Sequence, residues 1–123
     1  MRYVELNSQH DYTHWEDYKL EELRQNYFPA TLGKMVMQNE FVRLWQINLL
    51  PRERMAFRRL PKKYSWSCST GGMAVLANVN GRIDLCVFDT QDFGYVDHGG
   101  KTVTTDIRNI GETVLHLHIL EYL

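Results

Sequence analysis

The 123-residue chain has no apolar run that approaches the length of a membrane-spanning helix, so a helical membrane protein is not expected. Its opening residues, MRYVELNSQHDYTHW, hold no apolar leader segment, and no secretory signal is expected. Cysteine is scarce. Cys68 and Cys86 each fall inside a strand-like run and form no C-x-x-C pair, which points to reduced thiols in a cytoplasmic protein. Neither sign of charge prevails: 14 basic and 15 acidic residues leave a net charge of −1. That balance argues against a dedicated nucleic-acid binder, and neither nucleic acid nor membrane is expected as a partner. There is no internal repeat and no low-complexity segment.

What is present is enough apolar material for a core. Hydrophobic residues make up 44% of the chain, which excludes general disorder, and the length suits one domain. The first 38 residues differ from the rest and read as an N-terminal helical extension. His14 to Asn26, HWEDYKLEELRQN, sets Trp15, Tyr18 and Leu23 near one face with Leu20 beside them, and acidic and basic residues opposite. Thr13 is the expected N-cap, with Glu16 completing a capping box, and Pro29 stops the helix.

From residue 39 to 123 the period changes to two. Phe41 to Leu49, Tyr64 to Cys68, Met73 to Val79, Arg82 to Phe88, Phe93 to Val96, Thr102 to Ile107 and Thr113 to Leu123 read as strands. Asn80-Gly81 between two of them is a hairpin signal of the type I′ kind. Arg52, Arg54, Arg58, Arg59, Lys62 and Lys63 read together as a solvated basic loop. About eight short strands at this spacing indicate an all-β sandwich or barrel.

The runs N-E-F-V-R-L-W-Q-I-N-L-L-P at 39–51, Y-S-W-S-C-S-T-G-G at 64–72 and N-I-G-E-T at 109–113 resemble those of the small single-domain cupins. The resemblance implies a double-stranded β-helix, or jelly-roll barrel, often paired as a homodimer. It also implies a metal such as Fe, Mn, Ni or Zn inside the barrel, held by two histidines and a glutamate from a first motif and a histidine from a second. Gly71, Gly94 and Asn109 match that family's turn positions. The ligand positions hold Arg58, Leu60, Tyr64 and Thr105, while Arg52 and Gly100 replace a glycine and a proline. Arginine is a cationic donor and leucine has no lone pair, so the resemblance supports the fold and not the metal.

Three functional readings follow. In the first, no metal is held, and Arg58, Tyr64, Trp66 and Thr105 line a barrel that binds a small molecule, anionic if Arg58 turns inward. In the second, His98, His116 and His118 are relocated ligands of a divalent metal in an oxygenase or isomerase; His116 and His118 share a strand face, and Asp97-His98 is a candidate acid–base pair at a barrel mouth. In the third, the barrel is filled and the surface serves a structural or interaction role. Whether the protein is an enzyme is open at this point.

Overall fold

The computed structural model describes residues 1–7 and 10–123. In chain order the elements are β1 (Arg2–Glu5), α1 (Asp17–Gln25), β2 (Lys34–Gln38), β3 (Val42–Leu49), β4 (Arg54–Arg59), β5 (Lys63–Cys68), β6 (Gly72–Ala77), β7 (Ile83–Phe88), β8 (Asp92–Asp97), β9 (Thr104–Asn109) and β10 (Leu115–Tyr122). The strands form two five-stranded antiparallel sheets, one ordered β1-β7-β6-β9-β4 and the other β2-β3-β10-β5-β8. Consecutive strands cross repeatedly from one sheet to the other, as in a jelly roll. The all-β expectation stands, with one short helix.

Alternation explains which residues go inside. Along β10, Leu115, Leu117 and Ile119 are buried while His116 and His118 take the other face. Along β3, Trp45, Ile47 and Leu49 are buried, and they lie in register with Ile119, Leu117 and Leu115. These rows meet Ala74, Cys86, Phe88 and Ile107 of the other sheet in one core.

The N-terminal 38 residues contribute more than a helix. β1 joins the edge of the first sheet against β7, and β2 joins the edge of the second against β3. Both are short, and every residue in them is exposed, so no buried face marks them in the sequence. The helix is shorter than the pattern suggested and begins at Asp17. Its N-cap is Glu16, which makes no side-chain cap bond, so the Thr13 capping box does not form. Asn26 ends the helix in the left-handed conformation.

α1 lies on the outer face of the first sheet. There Trp15 stacks on Phe57 with ring centroids 6.0 Å apart, and Ala77 completes a second small core. Tyr18, expected on the packed face, is largely exposed, and Lys19 is the buried helical residue.

Two further expectations are corrected. Arg54 to Arg59 is not a solvated loop but strand β4, with Arg54 turned into an ion cluster beneath α1. The Asn80-Gly81 hairpin does join β6 to β7, but only Gly81 has positive φ. The Gly81 N–H donates to the Asn78 carbonyl at 2.9 Å and the Asn78 N–H to the Arg82 carbonyl at 2.7 Å. The turn therefore ends in a glycine bulge rather than having the two positive φ values of type I′.

Candidate functional site

Between the sheets lies a cavity of about 480 Å³. It falls within the roughly 300–1,000 Å³ range of small-molecule sites. Its walls are mostly apolar: Leu32 from the chain before β2, Met55 from β4, Leu76 from β6, Phe88 from β7, Ile107 from β9 and Leu117 from β10 all reach it. Tyr64, Trp66 and Thr105 line it, and so does Leu60.

Trp66 crosses from β5 to meet Phe88 edge to face at 5.5 Å. It has room because its register partner on β8 is Gly94. A Cβ built there would sit 2.6 Å from the indole Nε1. Gly94 thus shapes the cavity wall by leaving space for a ring, not by bending a turn.

Arg58 does not line the cavity. A bulge interrupts the pairing of β4 with β9 between Met55 and Arg58. In a regular strand Met55 and Phe57 would share a face. Here Met55 reaches the cavity and Phe57 lies on the outer side against Trp15. Arg58 is half-buried, and its Nη1 donates to the Phe57 carbonyl at 3.2 Å. The guanidinium that was to hold an anion in the barrel stops short of the cavity lining, with its Nε buried and unpartnered, in the field of Glu22.

The polar groups that do reach the interior are few and neutral. Burial, with the Cys86 thiol on the facing sheet as a lesser cause, pushes the Tyr64 hydroxyl up to about 12. Cys86, itself at the cavity, is pushed up to about 11, chiefly by burial. The Thr105 hydroxyl is 2.9 Å from the Ala77 carbonyl and 3.0 Å from the Asp106 carbonyl, either of which takes its proton. His98 lines the cavity just beyond β8, with its ring 5.8 Å from that of Tyr64. Burial lowers its pKa against the opposing pull of Asp97. At the mouth, the Arg82 Nε donates to both carboxylate oxygens of Asp84, at 3.1 and 3.0 Å.

No family model matches the sequence, and no curated protein matches it. Solved structures do match the fold. A cupin domain from Bordetella pertussis superposes with a TM-score of 0.65, at 15% identity, over 79% of this chain and 97% of that one. A protein from Neisseria meningitidis superposes with a TM-score of 0.51, at 12% identity, over 85% of this chain and 96% of that one. The fold is that of the cupins.

Within this cupin barrel, Leu60, Tyr64 and Thr105 converge on the cavity at the positions where the resemblance places metal ligands. Their chemistry does not fit a transition-metal ion. Leu60 has no lone pair, Tyr64 keeps its proton, and Thr105 is a neutral hydroxyl bonded to backbone.

The relocated-ligand reading finds no geometry either. His98 is at the cavity, whereas His116 and His118 stand on the outer face of β10, where the Nδ1 of His116 lies 2.6 Å from the Asn48 Oδ1. Among the described residues no three His, Cys, Asp or Glu side chains converge in the manner of a metal site. No hydrogen bond joins Asp97 to His98 among the described residues; Asp97 Oδ1 accepts the Gly99 N–H at 2.8 Å and closes a turn.

The sequence reading missed Cys86 and the apolar wall supplied by β6, β7 and β9. Their alternation was visible, but not which sheet faced which. It also missed the ion cluster under α1. Asp106, fully buried, accepts Arg54 Nε at 2.6 Å and the Ala77 N–H at 2.8 Å, and lies 3.3 Å from Lys19 Nζ. Glu22 accepts Arg54 Nη1 at 2.9 Å and the Phe57 N–H at 2.7 Å.

Proposed function

We propose that this cupin barrel is a metal-independent binding module for a small, mainly apolar molecule seated between the two sheets. The observation that supports it is the mainly apolar cavity of about 480 Å³, whose lining includes Tyr64 and Thr105 at positions where the resemblance implies metal ligands. Apolar burial drives such binding without ion pairing, at roughly 25 cal/mol per Å² removed from water. Trp66 and Phe88 supply aromatic surface for a flat ligand. An anionic ligand has less support because Arg58, although paired with Thr105, is not among the residues that line the cavity.

The resemblance to cupins that pair also makes a homodimer part of the proposal. The exposed Phe93, Tyr95 and Tyr122 on the outer face of the second sheet are compatible with it.

The test is titration of natively purified protein with naphthalene, read by probe fluorescence and by the rise in Tm. Saturable binding that is lost when Ile107→Trp fills the cavity is expected. Absence of binding sinks the reading. Stoichiometric metal by elemental analysis, reduced by Tyr64→Phe or Thr105→Ala, removes its metal-independent part, and sedimentation of the same sample reads the dimer.

A further inference from the structure

We propose that the cavity selects uncharged apolar molecules carrying one hydrogen-bonding group, such as a phenol, alcohol or ketone, and that Tyr64 is the residue that reads that group. The inference rests on the binding-module reading above and narrows its ligand.

Tyr64 is only 9% exposed, belongs to the main core and lines the cavity. Its hydroxyl makes no hydrogen bond among the described residues, yet it is not one of the fully sealed unpartnered atoms, so it stays open to the cavity. A phenol hydroxyl open at a mainly apolar wall can take a ligand's polar group as its partner. It is placed to meet a ligand, because Tyr64 and, from the opposite sheet, Cys86 both line the cavity. A neutral phenol both donates and accepts, so it meets a carbonyl or a hydroxyl equally well.

Thr105 strengthens the selection. It is 6% exposed, and its one hydroxyl proton is engaged by backbone carbonyls, leaving lone pairs toward the cavity. A ligand hydroxyl can donate there, whereas a carboxylate has no proton to offer.

Charge at the wall is already cancelled. Arg82 is closed on Asp84. The Asp106 carboxylate is held by Arg54, Lys19 and the Ala77 N–H on the far side of β9. Arg58 is outside the lining. Within the lining an ionised ligand would therefore lose its hydration and meet only the unpartnered Nε2 of His98, which burial holds toward its neutral form.

Three probes of one ring system separate the possibilities: naphthalene, 1-naphthol (uncharged at neutral pH) and 1-naphthoate. Each is measured against the wild type and against Tyr64→Phe by equilibrium dialysis. The expected result is that the naphthol-to-naphthalene affinity ratio falls about fivefold in Tyr64→Phe, the size of one net hydrogen bond. Taking the ratio cancels any general effect of the variant on the cavity, and naphthoate is the weakest of the three with the wild type.

A ratio unmoved by Tyr64→Phe overturns the role of Tyr64. Naphthoate as the tightest probe overturns the selection for neutral ligands, and this arm needs only the wild type, so it survives any folding defect of the variant. Failure of naphthalene itself to bind overturns the module reading instead, which keeps the two failures distinct.

Discussion

A single missing methyl sets the shape of the cavity wall. Gly94 has no need of its freedom of φ; its value is the space above it, which the Trp66 indole fills. Adding one carbon puts an atom 2.6 Å from Nε1, and a ring edged against Phe88 at 5.5 Å has little room to yield. Overpacking of this kind costs about 1–3 kcal/mol. Gly94→Ala is therefore expected to lower the urea midpoint by that amount and to shift the tryptophan emission, with weakened naphthalene binding as the ring swings into the cavity. An unchanged emission spectrum would show that Trp66 does not lean on Gly94. Arg58 gives the complementary lesson: its position in the family pattern was readable, but its direction was not. One bulge in β4, which no residue type announces, lets Met55 reach the cavity while Phe57 turns outward.

At the scale of elements, the tie between α1 and the first sheet is ionic as much as apolar. Arg54 links Asp106 on β9 to Glu22 on α1, under the rings of Tyr18 and Phe57, whose centroids lie 5.3 and 5.1 Å from its guanidinium carbon. Removing it leaves Asp106 buried with Lys19 as its remaining cation. Breaking such a pair from one side costs about 3–5 kcal/mol. Arg54→Ala should cost that much and raise amide exchange across residues 17–25 first. A loss below about 1 kcal/mol would mean that water reaches Asp106 and the cluster acts as a surface pair. This element was hidden in the sequence because its members are far apart. Arg54 and Asp106 are separated by 52 positions, and a run of arginines near lysines reads as a loop until its partners are known. The strands with one buried face, β3, β5, β7 and β10, were readable from alternation. The exposed edge strands β1 and β2 carry no such signal.

For the whole molecule, the buried titratable groups define how stability depends on pH. At the basic end, Cys86 and Tyr64 are raised from 9.0 to about 11 and from 10.0 to about 12, burial being the chief cause in both. Cys68 moves in the same direction for the same reason. Above pH 9 the unfolded chain releases protons that the native barrel retains, so stability falls as pH rises. At the acid end, His98 is lowered from 6.5 by burial, and Glu22 is held below 4.5. Burial alone would raise Glu22, but the hydrogen bonds from Arg54 and the Phe57 N–H and the charges of Arg54 and Arg58 outweigh it. Both groups are depressed in the native state. Their contribution is present above the unfolded values and lost as pH falls through the folded ones. The expected profile is a plateau from 6.5 to 9.0 with a decline on each side. Urea unfolding across that range measures it. The double variant Tyr64→Phe, Cys86→Ala should reduce the basic decline to the share of Cys68 and leave the acid one, and Glu22→Gln should remove the acid decline below 4.5 while the His98 share below 6.5 remains. A basic decline that persists unaltered in the double variant would mean that these two groups are not held protonated by the interior. The neutral character assigned to the cavity would fall with it, because the same desolvation underlies both.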